Sequence, residues 1–339
     1  MSLPDRPPVM GDVARLAGVS HQTVSRVING LPNIRPETRQ RVERAIEQLD
    51  YRPNTAARAL VRGRSGMLGI ITASRELFGP SSTHRAVEDA ARSAGYIATS
   101  VSLSETTHEA MDAATEHLTR VGVEGIVVIA GHDAALDVVR SQRSSLPFVV
   151  VEGDLSRAAL TVGVDQALGA RAATEHLLAL GHREIAHVSG PGDWAEARAR
   201  VQGWRSTMGG AGLRTTELVG DWSAASGYAA GLAVAELPEV TAVFAANDQM
   251  AIGVLRALHE SGRAVPADVS VVGFDDIPEA AYLTPPLTTV RQDFAGVGRR
   301  AIDVVTAAIQ GQPIETSPLL EPTLMVRESS GPVRDRNTK

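Results

Sequence analysis

Gln22 and Arg26 stand four residues apart in the string SHQTVSRVIN, with His21 beside them. On a helix that spacing is one turn, so an amide and a guanidinium fork point the same way. The amide matches the adenine edge and the guanidinium the guanine edge in the major groove, so this group has the chemistry of base reading. A second group is spread through the body of the chain: Glu152, Arg198, Asn247 and Asp275. A carboxylate accepts from two hydroxyls and a guanidinium donates to two oxygens, which suits a polyhydroxylated ring such as a sugar.

The first group needs a short helix with an inner apolar stripe, and the flanking residues supply one. Val13, Leu16 and Ala17 recur at i, i+3 and i+4, and after a break Val24, Val27 and Ile28 do so again. Gly18 suits the turn between them, and Ser20 stands at the N-cap position, able to accept from the Thr23 amide, so the second helix begins at His21. Its inner stripe leaves His21, Gln22, Ser25 and Arg26 outside, the geometry of a recognition helix. A third helix with Val42, Ala45, Ile46 and Leu49 in phase closes a miniature core. Residues 1–64 hold eleven arginines against six acids, net +5, which leaves −11 for the remainder of a chain whose net charge is −6. A basic head on an acidic body fits a polyanion-binding module joined to a part that does not bind nucleic acid.

RPNTAARALVRGRSG at 52–66 follows, with Asn54 as a cap, about two turns of helix formers and Gly63 as a stop. A helix this short is marginal in water and needs DNA and a second copy to support it. From Met67 the texture changes to short apolar runs alternating with helical stretches: MLGIITA, a helix over 84–95, YIATSVSL, a helix over 107–121, GIVVIA, a helix over 134–144, and FVVVE. The pattern repeats after TVGVD at 161–165, with helices to about 180, near 195–211, to 236 and to 261 between the strands EIAHVSG, 216–219, AVFAAN and VSVVGFD. Such alternation predicts two doubly wound parallel-sheet subdomains. Ligands of open α/β sheets bind beyond the carboxyl ends of the strands, which is where Glu152, Asn247 and Asp275 fall, while Arg198 opens the helix after SGPGDW.

A length of 339 residues and 43% hydrophobic content are enough for several cores. No apolar run approaches 18 residues and no signal sequence precedes the helical head, so a cytoplasmic protein without membrane contact is expected. The chain has no cysteine, which excludes disulfides and thiolate metal sites. No nucleophile elbow, metalloprotease pair, phosphate loop or dinucleotide fingerprint after a strand is present, and GVGRR at 296–300 falls inside a helical stretch. His117 and His176 read as surface or core residues and Glu105 and Asp112 as solvated ones, so neither enzyme, metal nor cofactor is expected.

DVARLAGVSHQTVSRVIN at 12–29, RPNTAARAL at 52–60, HLLALGHREIAHVSGP at 176–191, SVVGFDD at 270–276 and PPLTTVRQDF at 285–294 carry a resemblance to transcriptional regulators of the lac repressor (LacI/GalR) family, from about residue 9 to about 328. The resemblance implies that His21, Gln22 and Arg26 read bases while Ser20, Thr23, Ser25, Asn29, Thr38 and Tyr51 hold phosphates. It implies a hinge helix whose paired copies enter the minor groove, with Asn54 as cap, Ala57 at the close approach and Leu60 as the wedge. It further implies a periplasmic-binding-protein-like core of two subdomains joined by three crossing strands, and hence the division 1–52 headpiece, 53–65 hinge and linker, 66–164 plus 291–314 first subdomain, 165–290 plus 315–328 second subdomain, and 329–339 polar tail.

Trp222 falls at the family position that stacks on the pyranose in lactose-type members, which leans towards a β-galactoside or related glycoside. Trp194 lies four residues before Arg198, on the same face if the helix has begun, and departs from a small polar residue in those members. An added indole either narrows the pocket or extends it for a longer glycoside. The implied function is a homodimeric repressor on a pseudopalindromic operator, released by a sugar inducer in the cleft between subdomains. A regulator of the purine-responsive type, in which ligand tightens DNA binding, is the alternative of the same class, and a transporter's solute-binding protein is the one outside it. The carboxyl end lacks a leucine heptad, so a dimer rather than a tetramer is expected.

Overall fold

The computed structural model describes residues 6, 8–28, 32, 34–51, 64–104, 107–131, 146–152, 160–314 and 319–333. Asn29, the hinge residues Asn54, Ala57 and Leu60, and the helix expected over 134–144 lie outside them. The chain divides into two compact units, Met1–Ser65 and Gly66–Lys339.

The first unit holds α1 (Met10–Ala17), α2 (His21–Ile28) and α3 (Pro36–Gln48). Val13, Ala17, Val24, Val27, Val42 and Ala45 meet in one core, with Leu16, Ile28, Ile46 and Leu49 packed half-buried against it. Gly18 ends α1 with φ 63, a left-handed turn that glycine enters without a Cβ penalty. Ser20 caps α2 as its position predicts, its hydroxyl accepting the Thr23 amide at 3.2 Å.

In the second unit, β1 (Met67–Ala73), β2 (Ile97–Leu103), β3 (Ile126–Ile129), β4 (Phe148–Val151) and β5 (Thr161–Val162) form a parallel sheet in the order β2-β1-β3-β4-β5. Helices cover both faces of its inner strands, which is why β1, β3 and β4 read as nearly unbroken apolar runs. Leu68 and Ile70 face α4 (Phe78–Ser93), while Ile71 faces α5 (His108–Val121), as the two-residue period of a strand requires. The expectation of a helix over 84–95 is corrected here, because α4 begins six residues earlier. Pro80 sits in its first turn, where the missing N–H has no intrahelical acceptor to serve.

The second sheet contains β6 (Ile185–Ser189), β7 (Thr216–Val219), β8 (Ala242–Ala245), β9 (Ser270–Asp275), β10 (Thr288–Arg291) and β11 (Thr323–Met325), in the order β11-β10-β9-β8-β6-β7. Only β11 runs antiparallel to its neighbour among these described strands. On one face α6 (Gln166–Ala179) and α7 (Ala195–Gly210) bury Trp204, Phe244 and Phe274, and on the other α8 (Ala224–Ala235) and α9 (Asp248–Glu260) bury Val243 and Val271. Each such fully buried apolar side chain stabilises the fold by about 1.5–3 kcal/mol. The chain passes between the sheets after β5, where Val164 bridges Leu320, and again after β10, where α10 (Phe294–Ile309) returns to pack beside α4 on the first sheet.

Residues 329–333 differ from the polar tail expected of them. Ser329 is fully buried, its hydroxyl donating to Val271 O at 2.6 Å and accepting from the Thr288 amide at 2.7 Å. His182 bonds Gly331 O at 3.0 Å, and Val333 N donates to Leu180 O at 3.0 Å. Polar groups paired in this way cost little to bury, so the segment is a staple of the second sheet. No helix of the described residues is long and apolar enough to cross a membrane.

α8 and α9 approach so closely that a Cβ on Gly253 would overlap the Ala224 carbonyl and the Tyr228 amide. Backbone atoms cannot swing aside as a flexible side chain does, so Gly253→Val should destabilise this unit by about 3 kcal/mol. Urea denaturation of the variant tests this, and an unchanged midpoint would contradict the close packing.

Candidate functional site

α2 buries Val24 and Val27 and leaves His21, Gln22 and Arg26 exposed on the opposite side. Arg26 donates from Nη2 to Pro32 O at 3.3 Å, a single exposed bond that a base edge can replace. Ser20 and Thr23 share a hydroxyl contact of 2.9 Å at the amino end of α2, where Ser25 is half-buried and Thr38 occupies the first turn of α3. Tyr51 is placed otherwise than a free phosphate ligand, since its ring closes the headpiece core and its residue is 7% exposed. Asp12 steadies the amino end of α1, accepting from Val9 N at 3.0 Å and pairing with Arg6 and Arg15. The Val9 amide and the two guanidinia hold its carboxyl below the usual range.

In the second unit the carboxyl ends of the strands converge on a narrow cavity of about 40 Å³ between the sheets, lined by Leu77, Phe78, Gly79, Pro80, Glu152, Trp194, Glu196, Arg200, Trp222, Asn247, Asp275 and Gln292. Of the residues expected in the cleft, Glu152, Trp194, Trp222, Asn247 and Asp275 are brought together there. Arg198 is not, and this expectation is corrected. The helix starts at Ala195 with Trp194 as an extended N-cap, so the one-turn argument from Trp194 to Arg198 begins a residue too early. Arg198 is exposed and donates to Gly192 O at 2.9 Å, whereas Arg200 points inward at 5% exposure.

Arg200 sits at the centre of a buried network. Its Nε donates to Gln166 Oε1 at 2.9 Å, Nη1 donates to Ala246 O, and Nη2 lies 3.6 Å from Asp275 Oδ1. Gln166 in turn donates to Gln292 at 2.9 Å, and Gln292 to Asp275 at 2.7 Å, which closes a ring of four side chains. The guanidinium lies 3.9 Å from the Phe274 ring centre and 5.6 Å from that of Trp222. Trp194 and Trp222 meet edge to face at 5.7 Å, leaving apolar walls suited to sugar C–H groups. Asn247 is already committed, accepting from Met250 N at 2.9 Å as the cap of α9 and donating to Trp222 O at 3.0 Å, so it positions the indole as well as lining the cavity.

Five non-glycine residues at or beside the carboxyl ends of strands adopt left-handed backbone: Ser74 (φ 54), Glu152 (φ 66), Trp222 (φ 73), Asp275 (φ 110) and Asp276 (φ 52). Each such conformation costs about 1–3 kcal/mol and persists only where the surroundings impose it, a pattern that marks binding sites. Burial, reinforced by the facing charge of Glu196, pushes the Glu152 carboxyl up to about 8 despite a 3.0 Å bond from Thr83 Oγ1. Burial likewise pushes Asp248 up to about 8, although Thr289 and the Ile277 amide donate to it, and Asp275 up to about 6 against the pull of Arg200 and Gln292. Glu196, Arg200 and Gln292 were not singled out from the sequence. Helix phase counted from Ala195 puts Glu196, Arg200 and the buried Trp204 four apart on one face, the signal by which Arg200 is recoverable.

Comparison with known proteins gives a concordant result. Residues 9–54 match the family described as bacterial regulatory proteins, lacI family, and residues 174–330 match a periplasmic binding protein-like domain. The chain is 34% identical to the lactose operon repressor of Escherichia coli K12, covering 96% of this chain and 91% of that protein. It is 37% identical to the HTH-type transcriptional regulator CelR of Thermobifida fusca, covering 96% and 98%. Among solved structures, the lac repressor dimer bound to operator and the anti-inducer ONPF superposes with a TM-score of 0.85 at 34% identity, over 96% of this chain and all of that one. A CelR–cellobiose complex gives 0.71 at 32% identity, over 95% and 100%.

The raised carboxyls set the pH dependence of stability. Glu152 and Asp248 keep their protons in the folded chain where the unfolded chain, at ordinary values of 4.5 and 3.8, has released them, so their contribution is lost as pH rises through about 8. Burial lowers His84, His176, His182 and His187 below 6.5, and their opposite contribution is complete above that pH. Between pH 6.5 and 8 the ligand-free protein should therefore lose about 1 kcal/mol per pH unit for each raised carboxyl. Urea melts of wild type and Glu152→Gln across this window should differ in slope, and parallel lines would refute the assignment.

Proposed function

Because the chain belongs to the LacI family of bacterial regulatory proteins, we propose that it is a transcriptional repressor acting in the cytoplasm as a homodimer on a pseudopalindromic operator, released by a sugar bound in the cleft. The observation that carries the ligand half of this reading is the ring of Arg200, Gln166, Gln292 and Asp275 beneath two indoles. A fixed guanidinium and a carboxylate side by side satisfy adjacent hydroxyls, and the indole walls cover the ring's apolar face. A β-galactoside or another β-linked glycoside is the effector class to test first, since the relatives named above include a lactose operon repressor and a protein solved with cellobiose.

The mechanism is a linkage. Gln166 lies at the first crossing between subdomains and Gln292 at the second, so a ligand that draws on Arg200 and Asp275 biases the relative orientation of the two sheets. Residues 53–65 carry that change to the headpiece, where His21, Gln22 and Arg26 read bases and Ser20, Thr23, Ser25, Asn29, Thr38 and the Tyr51 region set register on the phosphates. Each tenfold loss of operator affinity takes about 1.4 kcal/mol of differential binding.

A DNA site selected from a random library, followed by gel shifts with lactose, cellobiose and related glycosides, tests the proposal. Sugar should weaken binding by at least tenfold in wild type and in Arg198→Ala, and should have no effect in Arg200→Ala. Tightening by sugar would reverse the sign to co-repression. For base reading, Arg26→Ala should lose about 1–3 kcal/mol at one symmetric base position and relax preference there. An equal loss on random DNA would instead assign Arg26 to the phosphates.

A further inference from the structure

The cavity at the strand ends is far smaller than a sugar needs. Small-molecule sites enclose about 300–1,000 Å³, whereas this one holds about 40 Å³. The room is taken by two indoles of the chain itself, Trp194 and Trp222, both buried and meeting edge to face at 5.7 Å. Each ring is pressed onto a glycine. A Cβ built on Gly190 would run into the Trp222 ring, and one built on Gly131 would run into the ring edge of Trp194. Gly190 follows β6 in the same subdomain as Trp222, so that contact lies within one body. Gly131 follows β3 in the first subdomain, so the Trp194 ring spans the cleft, and beside it the Ala195 amide donates to Gly131 O at 3.1 Å.

The two indoles are held differently. The Trp222 carbonyl accepts from Asn247 Nδ2 at 3.0 Å, and its ring lies 5.6 Å from the Arg200 guanidinium, so it belongs to the buried network. Trp194 stands ahead of the first turn of α7 in extended backbone and closes the short loop Gly190-Pro191-Gly192-Asp193. A Cβ on Gly192 would meet nothing within 4 Å, so this loop has open space beside it. Rotation about χ1 at such a position moves the ring between staggered wells without unwinding a helix or a strand. A separate pointer to what replaces the ring is the Trp222 indole N–H, which lines the cavity and has no hydrogen-bond partner. A buried donor of this kind is satisfied by a ligand acceptor such as a sugar hydroxyl.

We propose that Trp194 is a resident plug, its indole occupying the effector's place and tying the two subdomains together, and that a sugar binds by displacing it while Trp222, Arg200 and Asp275 stay in position. This rests on the reading of the cleft as a sugar site and adds what the sugar must displace. A site open in only a fraction of the molecules shows an apparent affinity lower than its intrinsic one by that fraction. Trp194 therefore sets affinity by exclusion, without touching the bound ligand. A sugar that displaces the ring also breaks its contact with Gly131, which is a contact between subdomains. Binding and the loss of one tie between the sheets are then a single event.

Isothermal titration of the full-length protein with D-glucose, D-galactose, lactose and cellobiose tests this. At least one of these sugars should bind Trp194→Ala tenfold or more tightly than wild type, with Trp194→Phe between the two. If the sugars that bind wild type bind Trp194→Ala equally well, the indole is scaffold, and if they bind it more weakly, the indole is a stacking wall for the ligand; either result overturns the proposal. Fluorine NMR of wild type labelled with 5-fluorotryptophan gives a reading that does not depend on how Trp194→Ala folds. The chain has three tryptophans, and the Trp194 signal is identified by its loss in Trp194→Phe. On addition of sugar it should acquire the shift between H2O and D2O that marks solvent exposure, while the Trp204 signal should not. A Trp194 signal still shielded from solvent in the sugar complex overturns the proposal as well. A sugar that binds Trp194→Ala and not wild type supports it. Binding of none to any of the three proteins removes the sugar-responsive reading together with the plug, whereas binding at unchanged affinity removes the plug alone.

Discussion

Arg200 holds its charge at 5% exposure, and taking a guanidinium out of water costs several kcal/mol unless its five donors and its charge are met. The surrounding architecture meets the charge and two of those donors. Asp275 at the end of β9 supplies the opposite charge, Ala246 after β8 a carbonyl, Gln166 at the start of α6 an amide oxygen, and Phe274 an aromatic face. Three strand or helix ends and α7 are thereby fixed to one atom group. Removing any partner strands a buried charge, so the site cannot relax piecemeal. This is why the strained backbone of Asp275 and of Trp222 nearby is tolerable: packing and hydrogen bonds over-determine it.

The same network reaches the places where the chain changes subdomain. Gln166 and Gln292 bond each other and also touch Arg200 and Asp275, and each lies at a crossing. A ligand drawing on Arg200 therefore acts on the connection between the sheets without an intervening chain of contacts. The carboxyl-terminal staple works on the far side of the second sheet. Ser329, Gly331 and Val333 lock β9 and the turn before β6, so that sheet moves as one body. A stiff sheet and a bonded hinge are what a two-orientation device needs, because interfaces switch between discrete packings while cores do not deform gradually.

Much of this was legible in the chain. The headpiece stripes, the Ser20 cap and the Gly18 turn were readable because every contact in that core lies within a few turns of sequence. The strands were readable because parallel sheets covered on both faces leave unbroken apolar runs. What escaped depended on long-range pairing or on helix phase. An error of two residues rotates a side chain by about 200°, enough to exchange an exposed Arg198 for a buried Arg200. Gln292 looks like any polar residue after a strand until its partner 126 positions away is known. Ser329 reads as tail because its burial depends on Val271 and Thr288. Glu196 reads as an ordinary acid in a helix's first turn, where the macrodipole favours one, and only the fold turns it towards a second carboxyl.

Glu152 and Glu196 also bear on the direction of the switch. They belong to different subdomains, so when both are ionised their repulsion opposes closure, and the low local dielectric makes it stronger than any surface pair. Closure without ligand requires one of them to keep its proton, which is the state in which Glu152 is held. The free energy that a ligand contributes to the change of orientation is the difference between its binding to the two arrangements, however tightly it binds either. The charge across the cleft thus bears on how far a bound ligand moves the subdomains, while Arg200 and Asp275 bear on whether it is held at all.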